Sequence, residues 1–230
     1  MKNILISGCN RGLGLGLVKK LLRQGHHVWG GCRRPQSSRE LWEIESDYHD
    51  SFKILEFDVT NEKQIKQALE LLPLDLTLDC VINNAGINEE YGHSLQALSQ
   101  SSLEKSYLVN AIGPILLTRQ CLPFLERSQE PKIFHISSRL GSIAENSSGH
   151  AYSYRMSKSA LNMLVKNMSL EFSTWTVMGI HPGWVQTDMG GAQAPTPVED
   201  SVEGVYDLMI HGTSEQSGKL YDFQGQVIPW

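Results

Sequence analysis

The chain has 230 residues, 40% of them hydrophobic, and a formal net charge of −5 from 20 basic and 25 acidic side chains. That length supports one large core and is short for two ordinary domains, so a single domain over residues 1–230 is expected. The acidic balance and the lack of a long basic block argue against nucleic acid or an acidic membrane as partner, and no apolar run approaches the roughly 18–20 residues that span a bilayer.

The first apolar run, residues 3–7, enters a glycine-rich stretch at once and leaves no room for a signal peptide, so a cytoplasmic location is expected. Further short apolar runs follow at 28–32, 53–57, 80–83, 132–137, 176–181 and 219–223. Between them lie helical patterns at 12–24, 38–48, 62–72, 102–126, 152–172 and 198–211. This alternation predicts an α/β Rossmann fold: one doubly wound, mostly parallel sheet of seven strands flanked by helices. Gly25 suits the left-handed position that closes the first helix, and Thr60 or Asn61 suits the cap of the third. Gly113-Pro114 is expected to bend or break the long helix at 102–126. Residues 188–197 have the composition of a surface loop and are the candidate lid.

Glycines at 8, 12 and 14 come after a strand and open a helix. In that context the backbone amides of the loop, which also carries Asn10, Arg11 and Leu13, together with the positive end of the helix, suit a dinucleotide pyrophosphate. About 20 residues further on, where a carboxylate would hold the ribose 2′-hydroxyl of NAD, this chain has Cys32-Arg33-Arg34. Guanidinium groups there, with Arg11 in the loop, suit the 2′-phosphate of NADP(H), with Arg34 the better candidate for a merely solvated charge. Asp58, with Val59 beside it, lies after the third strand and either reaches the adenine or caps the next helix. Four widely spaced cysteines and eight unclustered histidines give no metal-ligand pattern, so no metal is expected and the thiols are expected to be reduced.

In the helix at 152–172, Tyr154 and Lys158 are one turn apart on one face. A cation so placed favours phenolate and lowers a pKa that is ordinarily about 10, making Tyr154 a candidate proton-transfer group.

With these residues assembled, the chain resembles the short-chain dehydrogenase/reductase family over essentially its full length. The matching residues are Gly8, Gly12 and Gly14, the run Asn83-Asn84-Ala85-Gly86, Asn110, Ser137-Ser138-x-x-Gly141, Tyr154-x-x-x-Lys158, and Pro182-Gly183 with Thr187. Within the family, the wording around the glycines, around Tyr154 and from His181 to Gly191 is similar to the C-factor and Sniffer-like carbonyl reductases. The resemblance implies that Tyr154 is the acid or base, that Lys158 lowers its pKa and holds the nicotinamide ribose, that Ser138 orients a substrate carbonyl, and that Asn110 holds a water relay. It further implies that Asn84, Ala85 and Gly86 pack near the dinucleotide, and that Pro182, Gly183, Val185 and Thr187 shape the nicotinamide pocket. The implied reaction is NADPH-dependent reduction of an aldehyde, ketone or quinone, with a small carbonyl or alcohol as substrate. An NADP(H)-binding sensor of C-factor type is the alternative.

The stretch from Ser138 to Tyr154 is longer than is common in the family, and its polar insert at 145–150 is expected to bulge at the pocket mouth. Leu140, Ile143, Tyr152, Trp184 and Met189 are candidates for an apolar substrate wall, with core packing the alternative. Leu161, Leu164, Val165 and Met168 give the helix at 152–172 an apolar surface that suits either a homodimer contact, as the resemblance implies, or burial inside the monomer.

Overall fold

Ile4 and Ile6 face one side of the first strand and Leu5 the other, and all three are fully buried. A strand apolar on both faces belongs in the middle of a covered parallel sheet. The computed structural model, which describes residues 1–89 and 94–230, places it there. In chain order the elements are β1 (Asn3–Ser7), α1 (Gly12–Arg23), β2 (His27–Cys32), α2 (Arg39–Asp47), β3 (Phe52–Glu56), α3 (Glu62–Leu69) and β4 (Cys80–Asn83). They continue with α4 (Gln100–Tyr107), a π-helical turn (Leu108–Ile112), α5 (Gly113–Leu125), β5 (Lys132–Ile136), α6 (Tyr152–Glu171), β6 (Thr176–His181), α7 (Val198–His211), β7 (Leu220–Asp222) and β8 (Val227–Ile228).

The sheet order is β3-β2-β1-β4-β5-β6-β7-β8, parallel except for the antiparallel β7–β8 pair. It has eight strands where the sequence suggested seven, because β8 is only two residues long and too short to show an alternating pattern. β1 pairs with β2 on one side and β4 on the other, so the chain winds outward in both directions from β1. Connections then leave the carboxyl ends of β1 and β4 on opposite sides and open a crevice between them. One core layer, including Leu17, Leu21, Met178 and Val205, packs Ile4 and Ile6 against α1 and α7. The other, including Ile65, Leu117, Leu125 and Val165, packs Leu5 against α3, α5 and α6.

Helix boundaries follow local chemistry. Gly25 takes a φ of +75° just after α1. Of the two candidates for the α3 cap, Asn61 fills the role, its side chain accepting from the Gln64 amide at 3.1 Å. Gly113-Pro114 does not break the long helix. Pro114 sits in the first turn of α5, where its missing N–H is harmless, and the irregularity is the π turn one step earlier, around Asn110. The whole run Gln100–Leu125 is 26 residues with a window of mean hydropathy 1.3, enough by length and composition alone to cross a membrane, although Asn110, Arg119 and Gln120 interrupt its apolar residues. Half of that window is buried inside the protein, with Leu117, Cys121 and Leu125 in the core.

On α6, Leu161, Val165 and Met168 are buried within the monomer and Leu164 packs against the core, which decides between the two readings of these residues in favour of internal packing. The large apolar side chains that α6 exposes are instead Tyr152, Met156, Met163 and Leu170.

Lys132 at the start of β5 donates to the carbonyls of Met209, Ile210 and Gly212 at 2.8–3.1 Å, capping the negative end of α7. Lys132→Met keeps the stem and removes the ammonium. The expected cost is about 1–2 kcal/mol, read as a melting temperature lower by roughly 2–8 °C. An unchanged melting temperature contradicts the capping role.

Candidate active site

The glycine loop is shaped from below by β2 and from the side by the residues after β4. Gly8 and Cys9 both donate their amides to the Gly31 carbonyl, at 2.7 and 3.2 Å. Ser7, the hydroxyl that closes β1, accepts the amides of Asn84 and Ala85, each at 3.1 Å. Asn84 returns the contact, its side-chain amide donating to the Ser7 and Gly8 carbonyls at 2.9 and 3.0 Å. Its side chain is therefore engaged in holding the loop. Gly14 permits this packing: a Cβ there would stand 2.1 Å from the Gly8 carbonyl oxygen. The first turn of α1 has no acidic residue and no side-chain cap, so its amides and the helix dipole are left for an anion.

At the far end of the loop, Arg33 lies 3.6 Å from the Asp58 carboxylate. Asp58 also accepts from the amide and hydroxyl of Thr60, at 2.9 and 2.8 Å, so it shapes the turn into α3 and pairs with Arg33 at once. Arg11 was expected to flank a 2′-phosphate from the other side. It pairs instead with Asp188 at 2.7 Å, tying the glycine loop to the candidate lid across the cleft. That lid segment is pinned back on itself: Gln186 donates to the Thr196 carbonyl, Thr196 to the Trp184 carbonyl, and the Trp184 indole to the Gly190 carbonyl at 2.7 Å.

On the chemical side, Ser138 follows β5 and caps a 3₁₀ turn, its Oγ accepting from the Leu140 amide at 3.1 Å. Ser137 points elsewhere, donating to Asn162 Oδ1 at 2.6 Å inside the core. Tyr154 and Lys158 stand on the first turns of α6, with the Lys158 Nζ 5.7 Å from the Tyr154 ring centre. Nζ donates to the Ile136 carbonyl at 2.8 Å. Burial pushes the ammonium down to about 8. Burial pushes the Tyr154 phenol up, opposed by its hydrogen bond with Ser138. The direction is opposite to the lowering anticipated from the Tyr-x-x-x-Lys spacing, because here the ammonium is turned to a backbone carbonyl and burial dominates.

Asn110 is fully buried in the π turn. Its side chain exchanges two hydrogen bonds with the backbone of Ile87, both at 2.9 Å, and donates to Ser157 Oγ at 3.0 Å. Ser157 in turn donates to the Tyr154 carbonyl. Asn110 thus stands behind the site and fastens α6 to the segment after β4.

Every other candidate lines one cleft of about 1100 Å³ at the carboxyl edge of the sheet: Gly8, Asn10, Arg11, Gly12, Leu13, Gly14, Arg33, Asp58, Val59, Asn84, Ala85, Gly86, Ser138, Tyr154, Lys158, Pro182, Gly183, Val185 and Thr187. Of the proposed apolar wall, Leu140, Trp184 and Met189 line it, whereas Ile143 and Tyr152 face solvent outside it. The insert also lies outside, held down by Arg155, which donates to the Gly149 carbonyl and the Ser148 hydroxyl, each at 2.9 Å. Two histidines escaped sequence reasoning because nothing in their spacing marks them. His181 lines the cleft at the end of β6, and burial pushes it down to about 4. His135, buried behind Lys158, is pushed down to about 3, with neither ring nitrogen partnered among the described residues.

A loop cradle that a single Cβ would fill, an uncapped helix start, and a cation at the rim make up a donor set that fits a dinucleotide phosphate.

Comparison with known proteins gives concordant matches. A family model for short chain dehydrogenase matches residues 2–197. The C-signal protein of Myxococcus xanthus is 40% identical over 155 residues, covering 66% of this chain and 93% of that protein. Among solved structures, carbonyl reductase Sniffer of D. melanogaster superimposes with a TM-score of 0.93 at 34% identity over 100% of both chains. An NADPH-bound carbonyl reductase from chicken fatty liver gives 0.92 at 32% identity, covering 100% of this chain and 99% of that one.

Proposed function

The chain belongs to the short-chain dehydrogenase family, and from that premise we propose that it is an NADPH-dependent reductase of a small carbonyl compound, an aldehyde, ketone or quinone, with Tyr154 as general acid. The observation that carries the reading is the convergence of Ser138, Tyr154 and Lys158 at one end of a cleft whose other end is the glycine cradle. The carbonyl reductases of the same fold, one of them NADPH-bound, support it.

The loop amides from Gly8 to Gly14 and the start of α1 would hold the pyrophosphate, and Arg33 the 2′-phosphate. Ala85 and Gly86 would leave room beside the ribose, and Lys158 would bind its hydroxyls. Pro182, Gly183, Val185 and Thr187 would wall the nicotinamide. When bound, NADPH supplies the hydride. Ser138 donates to the substrate oxygen and stabilises the negative charge that develops there. The Tyr154 phenol, protonated at neutral pH as any phenol is, gives up the proton. Asn110 keeps α6, and with it the phenol, in register with the end of β4. Leu140, Trp184 and Met189 exclude water around the carbonyl.

Arg33→Ala should weaken NADPH binding by about tenfold, the lower end of the range for a charge-assisted contact because the side chain is largely exposed. NADH binding should barely change, since NADH has no 2′-phosphate. Arg11→Ala should do less, its guanidinium being engaged with Asp188. Dissociation constants for both cofactors decide the point, and equal losses for NADH and NADPH contradict the assignment of Arg33.

The identity with C-signal favours a second reading, an NADP(H)-binding signalling protein in which turnover is secondary. NADPH consumption against a panel of aldehydes, ketones and quinones, run beside NADPH thermal protection, separates the two. Protection with turnover supports the reductase; protection without turnover on any substrate supports the sensor.

A further inference from the structure

The sheet register sets two cysteines beside each other at the cofactor end of the cleft. Ser7 pairs with Gly31. The chain then turns so that the Cys9 amide bonds the Gly31 carbonyl, one residue before Cys32. The Cys9 sulfur lies over Gly30, 2.9 Å from where a Cβ of that residue would stand, which explains why the position carries no side chain. Both cysteines belong to the same core layer, and each thiol shifts the titration of the other. Cys9 is fully buried beneath the glycine loop, whereas Cys32 forms part of the cleft wall just before Arg33. Cys80 and Cys121 are buried in the two core layers, and neither lines the cleft.

We propose that Cys9 and Cys32 form a hydroperoxide-oxidisable thiol pair that closes to a disulfide beneath the nucleotide loop. The two thiols are not equivalent. The Cys32 thiol is held below its ordinary value, first by the Cys9 thiol and, against the opposing effect of burial, by the Arg34 backbone. The Cys32 thiol and burial push the Cys9 thiol up. Cys32 is therefore the nucleophile, and it has the opening to the cleft. Its thiolate attacks one oxygen of hydrogen peroxide; the O–O bond breaks, the departing hydroxide takes up a proton to form water, and Cys32 becomes a sulfenic acid. The Cys9 sulfur then attacks the Cys32 sulfur, the S–O bond breaks, and the hydroxyl leaves with the Cys9 proton as a second water. Two thiols have given two electrons to one peroxide. Drawing the sulfurs to a covalent separation of about 2 Å displaces the Cys9 backbone in the loop. On the NADP(H) reading above, on which this consequence rests, bound cofactor shields Cys32 and the disulfide weakens cofactor binding.

The test is peroxide treatment of the reduced full-length protein, alkylation of remaining thiols, and tryptic peptide mapping with and without NADPH. The expected result is one cross-linked product joining residues 3–11 to residues 24–33, with Cys80 and Cys121 alkylated. Cys9→Ser should stop at a Cys32 sulfenic acid that dimedone captures, and Cys32→Ser should leave Cys9 reduced. NADPH at ten times its dissociation constant should slow the cross-link about tenfold. Recovery of Cys9 and Cys32 both alkylated after peroxide, or oxidation first at Cys80 or Cys121, overturns the pair. NADPH that binds yet leaves the rate unchanged overturns the shielding. Failure of NADPH to bind at all overturns the functional reading instead, and the cross-link formed by peroxide in cofactor-free protein judges the pair without it.

Discussion

Tyr154→Phe is expected to lower turnover by roughly 10²–10⁴-fold, the range for a positioned general acid, while NADPH affinity stays near that of the wild type. The phenol hydroxyl is the one atom removed. The ring remains in the first turn of α6, so the packing that holds Ser138 and Lys158 is kept. A phenol ordinarily titrates near 10 and burial does not lower it here, so the wild-type group is protonated at neutral pH, the form that carbonyl reduction consumes. Steady-state rates with any accepted aldehyde or ketone, together with a fluorescence titration of NADPH, check both halves. A near-normal turnover number removes Tyr154 from the mechanism, and an equal loss in cofactor binding turns it into a binding residue.

Ser138→Ala should cost about 10²–10³-fold in turnover, as loss of one donor to a developing oxyanion does. The neighbouring Ser137→Ala provides the contrast. Its hydroxyl donates to Asn162 Oδ1 within the core, so removal leaves a buried acceptor without that partner and is expected to cost roughly 1–3 kcal/mol of stability. One variant should lose rate with little change in melting temperature; the other should lose melting temperature with far less change in rate. Equal rate losses in the two show that the wrong hydroxyl has been chosen or that both act on substrate.

The features legible in the sequence are those encoded by local spacing. Glycines between a strand and a helix, a lysine one helical turn after a tyrosine, and an asparagine before α3 each take the predicted conformation because a few neighbouring residues determine it. What depends on distant parts of the chain was not legible. The Arg11–Asp188 pair joins residues far apart in sequence, and nothing around Arg11 announces it. The sign of the Tyr154 shift is set by burial, which is a property of the assembled cleft, and by where the Lys158 ammonium finds an acceptor. Gly113-Pro114 correctly marked an irregular helix, but the proline fits a first turn without strain, and the π turn falls instead at Asn110, where the side chain is needed to meet Ile87. The Cys9–Cys32 pair emerges only when the register of β1 on β2 is known.

The most direct test of the central claim follows the hydrogen itself. NADPH carrying deuterium at the transferable position of the nicotinamide is incubated with the protein and an accepted aldehyde or ketone, and the alcohol is analysed by mass spectrometry. The account predicts deuterium on the former carbonyl carbon with wild-type protein, and a rate of incorporation reduced by roughly 10²–10⁴-fold with Tyr154→Phe. NADPH that binds and protects the wild-type protein but transfers no deuterium to any of the aldehydes or ketones tested contradicts it.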